Sequence, residues 1–271
     1  MTVRAFSAGW ITSLSRLLRR DGGLGLARLS MTCLLVERPE GLLLVDTGFA
    51  VSARENPRAN VGTLFQLMSP ISLPVGDAAV ERVRAIGRRP EDVTDVVLTH
   101  LDVDHAAGLE DFPKARVHVA RAELEDALGS WNPRYRHACW AHGARWEKHD
   151  LLRQETLGFP TSRDIFGDGS VVLLGAAGHS KGHVAVAVRC GARHVVHTGD
   201  AVYLEDEARL GVDGLGPGLR TLRRLVDRDK DEAERTRRLV GSLMANEDAT
   251  VVTAHDERGL ARLAPFPYPI G

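Results

Sequence analysis

The chain has little cysteine: Cys33, Cys139 and Cys190 are the only three in 271 residues. An odd, widely spaced set supplies neither a disulfide framework nor a thiolate metal site, so the three read as reduced packing residues. Cys139 differs only in lying within a loop rich in His and Trp. An excess of either charge is also missing, with 35 Lys and Arg against 36 Asp and Glu. That balance creates no pull toward nucleic acid or anionic membranes, and neither is expected as a partner. No stretch approaches the roughly 18 apolar residues of a membrane span, and residues 1–6 lack the charged-then-apolar pattern of an export signal. A cytoplasmic protein is expected. Internal repeats and low-complexity tracts are absent as well. What remains is 44% apolar and 26% charged residues, which fits one soluble globular domain across 1–271.

Against that plain background, one turn is dense in donors. The apolar run 93–98 leads into Thr99 and then His100-Leu101-Asp102-Val103-Asp104-His105. A divalent ion needs several N or O donors converging within about 2.0 to 2.2 Å, and a turn leaving a strand can aim side chains inward to supply them. Ordinary turn chemistry could also explain an Asp pair beside a surface His. The rest of the chain weighs between the two. Residues 171–177 run into Gly178-His179-Ser180-Lys181-Gly182-His183, and Val195 and Val196 lead through His197 and Thr198 to Gly199-Asp200. Residues 250–254 end in His255-Asp256, and 42–45 end in Asp46-Thr47-Gly48. Each is a β-type run stopped by a small or polar residue, which is how a sheet delivers ligands to one edge.

This ordered set resembles the metallo-β-lactamase fold superfamily of hydrolases over about residues 31–255. The family pattern is an Asp after an early strand, a His-x-His-x-Asp-His turn, a Gly-His-Ser/Thr-x-Gly-His segment, a Gly-Asp and a late His. The matching positions are Asp46, then His100, Asp104 and His105, then His179 and His183, then Asp200, then His255. The resemblance implies an α/β fold, a four-layer αββα sandwich, holding two divalent ions. His100, Asp102 and His179 would bind one ion and Asp104, His105 and His255 the other, with Asp200 bridging. Asp46 would orient a ligand and the bridging water through hydrogen bonds, and His183 would be a structural hydrogen-bonding residue. Such a pair of ions lowers the pKa of water from about 15.7 toward about 7, so the implied reaction is hydrolysis of an ester-type bond. His118, His194 and His197 match no motif and read as ordinary histidines. His137, His142 and His149 lie in or beside a loop and leave no third site.

Asp102 is the one departure, since the family usually has a second His there. Three ligating carboxylates against two divalent ions leave a net charge of about +1, where a His would leave about +2. A carboxylate is also a harder donor, which shifts preference from zinc toward manganese or iron at that position. Tyr203, three residues after Asp200, resembles the acyl-homoserine lactonase branch, in which such a Tyr hydrogen-bonds the substrate carbonyl. It would polarise a developing oxyanion, or it merely packs. Asp104, Asp200 and Tyr203 are the expected catalytic residues, and a small-molecule lactone or related carboxylic ester is the expected substrate. Thioester hydrolysis in the glyoxalase II manner and a non-catalytic metal-containing ligand sensor are the alternatives.

Strands are expected near 31–37, 42–46, 95–99, 116–120, 171–175, 184–189, 194–198 and 250–254, and helices over 77–86, 121–128 and 219–246. The centre of the last helix, 227–238, reads as a solvated face. Two segments look inserted, 49–90 and 129–160. The first reads as a lid or as a homodimer contact. The second carries Trp131, Tyr135, Trp140 and Trp146, and reads either as a substrate-facing wall or as a satellite hydrophobic cluster.

Overall fold

The computed structural model describes residues 1–129, 132 and 134–270, so Trp131 of the expected aromatic wall lies outside the described residues. Alternation along the strands decides how the layers stack. In β2 (Leu26–Arg38), Cys33 and Leu35 face one core while Leu34 and Val36 face another. The next strand, β3 (Gly41–Val45), repeats this with Leu42 and Leu44 against Leu43 and Val45. A strand that is apolar on both faces must be covered twice, which forces a sheet into the interior of a layered structure.

With β1 (Thr2–Leu14), β4 (Ile71–Ser72), β5 (Val93–Val97), β6 (Arg116–Ala120) and β7 (Arg145–His149), these strands form a seven-stranded sheet in the order β4-β1-β2-β3-β5-β6-β7. A five-stranded sheet follows from β8 (Ser162–Asp164), β9 (Val171–Gly175), β10 (Val184–Cys190), β11 (Arg193–His197) and β12 (Ala249–Val252), in the order β12-β11-β10-β9-β8. Leu34, Val36, Leu43 and Val45 of the larger sheet meet Val171, Leu173, Val184, Val186 and Val195 of the smaller one. The outer face of the larger sheet is covered by Val80 and Val83 of helix Ala79–Ala85 and by Leu124 and Ala127 of helix Arg121–Gly129. Val240 and Leu243 of helix Lys230–Leu243 cover Ala185, Ala187 and Val196 on the outer face of the smaller sheet. The result is the expected αββα sandwich. Strands β3, β5 and β6 run parallel, as do β11 and β12, so the chain leaves each set at a common edge.

Three expectations need correction. Residues 219–246 form two helices, Pro217–Val226 and Lys230–Leu243, because Asp229 accepts from Glu232 N at 2.9 Å and starts the second. Asp followed three residues later by Glu is a helix-start pattern, present here inside an apparently continuous stripe. Nor is 227–238 simply a solvated face. Asp227, Thr236 and Arg237 are buried, and Arg237 Nη1 lies 3.0 Å from Asp227 Oδ2. Finally, β1 was not expected from the sequence, because Ser7 and Gly9 break its apolar run where its register against β2 shifts. Gly9 has φ +126°, and a Cβ there would stand 2.4 Å from Phe49 Cδ2, so the break marks a close approach.

The segment 49–90 packs Ala53, Val61 and Leu73 into the outer core, while Leu64 and Leu67 of its helix Thr63–Met68 stand exposed. Of the 129–160 aromatics, Tyr135 and Trp140 are buried in that same core and Trp146 packs against it, so they extend the main outer core rather than form a satellite cluster. Cys139 is buried beside them, and burial pushes its thiol up to about 12. No described helix is long and apolar enough to cross a membrane.

Away from the site edge, Asp95 on β5 is fully buried and accepts from His118 Nε2 and Thr94 Oγ1, both at 2.8 Å, with Arg116 Nη2 also at 2.8 Å. Burial works against the Asp95 carboxylate, but the bonds from His118, Arg116 and Thr94 outweigh it and hold the pKa at about 2. A depressed carboxyl contributes stability above its unfolded value that is lost as pH falls through the folded one, here about 2 kcal/mol between roughly pH 4 and 2. Asp95→Asn should therefore flatten the acid limb of stability over that window in urea titrations of metal-free protein. Parallel limbs for the two proteins would remove this assignment.

Candidate metal centre

The chain leaving β3 turns at Asp46 with φ +57°, a left-handed conformation that few residues other than Gly, Asn and Asp tolerate. Its backbone is held by Asp46 N to Val97 O at 2.9 Å and by Thr47 Oγ1 to His105 O at 2.7 Å. The strained turn points the Asp46 carboxylate across the exit of β5. There it accepts from Thr99 N at 2.8 Å, Thr99 Oγ1 at 2.9 Å and His105 Nδ1 at 2.7 Å. Burial pushes Asp46 up, yet His105 beside it brings its pKa below the ordinary carboxylate range. From the other sheet, Gly199 has φ +50°, and a Cβ there would stand 2.7 Å from His183 Nε2. His183 uses that nitrogen to accept from Asp200 N at 2.9 Å and its Nδ1 to donate to Ala176 O at 3.0 Å. Both ring nitrogens are thus consumed in holding the Asp200 turn.

Two groups of donors result, one of His100, Asp102, His179 and Asp200, the other of Asp104, His105 and His255. In the first, Asp102 Oδ2 is 3.3 Å from His100 Nε2 and 3.2 Å from His179 Nε2, and Asp200 Oδ2 is 3.8 and 3.3 Å from the same two atoms. In the second, Asp200 Oδ1 is 3.1 Å from His105 Nε2 and 2.9 Å from His255 Nε2, and Asp104 Oδ2 is 4.0 and 3.7 Å from them. Asp200 therefore gives one oxygen to each group. Donors tetrahedral about an ion at about 2.0 Å stand about 3.3 Å apart, and three of the four separations in the first group are 3.2 or 3.3 Å.

The four imidazoles share an orientation. His105 Nδ1 meets Asp46, His100 Nδ1 meets Thr99 Oγ1 at 3.0 Å, His255 Nδ1 meets Ser30 O at 2.8 Å, and His179 Nδ1 meets Asp227 Oδ1 at 3.3 Å. Each ring is tied from behind, and each Nε2 faces the centre, as in histidines that bind metal. Burial favours a neutral His105, but the carboxylates of Asp200, Asp46 and Asp104 outweigh it and hold its pKa well above the usual value. His255 is likewise raised against burial, mainly by Asp200. His100 Nε2, His105 Nε2 and Asp200 Oδ1 are buried without a hydrogen-bond partner. Buried polar atoms left unpaired cost free energy. Such atoms, His100 Nε2 in the first group and His105 Nε2 with Asp200 Oδ1 in the second, fit a pair of divalent cations.

The structure also brings in residues that the motif pattern does not include. Glu123 of helix Arg121–Gly129 is fully buried and accepts from Leu101 N at 3.1 Å, Ser180 Oγ at 2.7 Å and Gly182 N at 3.0 Å, joining the two ligand loops. Arg223 is buried too. It donates to Asp200 O at 2.7 Å, Ala201 O at 2.9 Å and Glu207 Oε1 at 2.8 Å, and lies 3.1 Å from Asp227 Oδ1. Tyr203 is buried between His255 and His179, at centroid distances of 5.2 and 6.1 Å, with the Arg223 guanidinium 3.8 Å above its ring. Asp102 is paired through both oxygens with Arg134, at 2.6 and 2.7 Å. Glu123, Glu207, Arg223, Asp227 and Arg134 belong to no motif, whereas Tyr203 and Asp102 were singled out from the sequence. His197 holds the turn before Asp200 by accepting from Gly199 N at 3.1 Å, and His118 pairs with Asp95 and His149 away from the cluster.

Comparison with known proteins fits this geometry. The family model described as the metallo-beta-lactamase superfamily matches residues 28–255. Over 176 residues the chain is 40% identical to a probable metallo-hydrolase of Mycobacterium tuberculosis, covering 63% of this chain but only 56% of that relative. It is 28% identical over 242 residues to the N-acyl homoserine lactonase AttM of Rhizobium radiobacter, covering 86% of this chain and 84% of that protein. A solved N-acyl homoserine lactone hydrolase, with N-hexanoyl-L-homoserine bound at its catalytic metal centre, superposes with a TM-score of 0.74 at 23% identity, covering 99% of this chain and 98% of that one. AidC, a dizinc quorum-quenching lactonase, gives a TM-score of 0.67 at 16% identity, covering 98% and 88%. At such identities the structural likeness speaks for the fold, while the family match spans most of the chain. The chain belongs to the metallo-β-lactamase superfamily.

Proposed function

We propose that this protein is a binuclear metal-dependent hydrolase of an ester-type bond, a lactone or related carboxylic ester, built as one domain with 49–90 and 129–160 as insertions. The observation that carries it is Asp200, whose two oxygens face two separate sets of donors. His100, Asp102 and His179 would hold one cation and Asp104, His105 and His255 the other, with Asp200 shared. The cations are zinc, or manganese or iron at the Asp102 position. When bound, such a pair supplies water of lowered pKa and polarises a carbonyl oxygen. Relatives named as N-acyl homoserine lactonases support the lactone class.

The protein's own groups have distinct tasks in this reading. Asp46 and Asp227 fix the rings of His105 and His179 through Nδ1, so that Nε2 keeps its aim. Arg223, Glu207 and Asp227 form a buried ion network that holds the Asp200 and Ala201 carbonyls, and with them the turn that presents the bridging carboxylate. Asp102 and Asp104, 18% and 12% exposed, mark the side of the cluster open to substrate. Tyr203 stands between His179 and His255, two of the four metal-facing histidines, where its hydroxyl would donate to the oxygen of the substrate carbonyl as charge develops there.

A panel of acyl-homoserine lactones, simple lactones, aryl esters and thioesters, followed by proton release, tests the substrate class. Lactones should turn over fastest; preference for thioesters would replace this reading with the thioesterase one. Asp200→Asn should abolish turnover, and elemental analysis should find about two divalent ions per wild-type chain. Tyr203→Phe should lower kcat by about 10²-fold with metal content unchanged, whereas an unchanged kcat would mean that the ring only packs. Asp227→Asn should weaken zinc affinity about 10- to 100-fold in chelator competition, with activity recovered by added metal. Unaltered affinity would show that His179 needs no such support.

A further inference from the structure

Asp102 carries a full negative charge where the family pattern has a neutral ring, and it does so beside two more carboxylates. Arg134, from the segment 129–160, answers that charge directly. Its Nε lies 2.6 Å from Asp102 Oδ1 and its Nη2 lies 2.7 Å from Oδ2, the side-on pairing in which a planar guanidinium matches a carboxylate. The third nitrogen, Nη1, donates to Val226 O at 2.7 Å, at the C-terminal end of helix Pro217–Val226, where a cation is favoured. The guanidinium is therefore fixed at three points and largely buried, with 16% of its side chain exposed. Asp102 Oδ2 at the same time stands 3.3 and 3.2 Å from the Nε2 atoms of His100 and His179. One oxygen thus faces the donor set while both are tied to arginine.

We propose that Asp102 and Arg134 act together as one neutral ligand unit in place of the family histidine, with Arg134 a positioning residue that aims the carboxylate and offsets its charge. The inference rests on the metal-centre reading above. Counted with Arg134, the three carboxylates and two divalent ions return to a net charge of about +2, the value a histidine at 102 would leave. A carboxylate that shares its lone pairs with a guanidinium is also a weaker donor than a free one and presents less negative charge to a cation. The pull toward manganese or iron that an isolated Asp would exert is thereby reduced, and zinc stays compatible with this position.

Chelator-stripped wild type, Asp102→His, Arg134→Met and the double variant can be titrated with Zn(II) and Mn(II) in competition with a chromogenic chelator, with thermal melts as the check on folding. Wild type should take up two Zn(II). Asp102→His leaves Arg134 without its partner next to a cation, so one equivalent should bind about 10- to 100-fold more weakly. The double variant should recover to within about threefold of wild type, because the two changes are coupled rather than additive. Arg134→Met alone should move the Mn(II)-to-Zn(II) affinity ratio toward Mn(II) by about tenfold, and this readout survives if the histidine variant does not fold. Two results would overturn the proposal: Asp102→His binding zinc as tightly as wild type, or a double variant no better than the single one. Wild type that binds no Zn(II) would instead remove the metal-centre reading itself.

Discussion

The gathering of three carboxylates, Asp102, Asp104 and Asp200, among four imidazoles is the constraint on which the site edge of this fold depends. Asp200 is buried, and both its oxygens lie within 4 Å of other ionisable groups. Carboxylates taken out of water at such separations are tolerated only when opposite charge and hydrogen bonds offset their desolvation. Four imidazoles supply part of that compensation, and each must be aimed. The aiming explains why a left-handed Asp46, a Gly199 that admits no Cβ and a His183 with both nitrogens committed sit within a few residues of the cluster. None of these features would be needed by a sandwich that only had to bury its apolar faces.

The same constraint accounts for charge placed deeper in the molecule. Arg223, Glu207, Asp227 and Arg237 form a buried network beneath the smaller sheet's end of the site. As a device for stability it is poor, since well-packed apolar groups of the same volume would often do as well or better. Its value lies in geometry. Arg223 grips the carbonyls of Asp200 and Ala201, and Asp227 reaches His179, so one network positions a carboxylate and an imidazole that belong to the same donor group.

Residues that would touch the cations were legible in the sequence because few side chains can do that work, and because they follow shortly after the ends of strands β5, β9, β11 and β12. The αββα layering was legible for a related reason: Leu34 to Val36 and Val184 to Val188 are apolar on both faces. The supporting residues were not legible. Glu123, Arg134 and Arg223 sit among charged neighbours on a helix or in a loop, and nothing local separates a buried ion pair from a solvated one. Asp227 was misread with its whole segment, because the break between helices falls within a charge run rather than at a Gly or Pro. The charge of Asp102 was counted alone in the sequence, since its partner Arg134 lies 32 residues further on.

That distant partner changes what the segment 129–160 does. Arg134 reaches inward to Asp102, while Arg136, two residues on, donates from Nε to Asn60 O at 2.7 Å and from Nη2 to Ala59 O. Asn60 and Ala59 belong to helix Pro57–Val61, inside the segment 49–90. One loop therefore ties the 49–90 segment to the donor cluster through two arginines, Arg134 and Arg136. Anything that shifts the 49–90 segment must either break the carbonyl contacts of Arg136 or carry Arg134 with it, and moving Arg134 alters the charge that Asp102 presents. The packing of segments 49–90 and 129–160 is thus coupled, through Arg136 and Arg134, to the charge that Asp102 presents to the donor cluster.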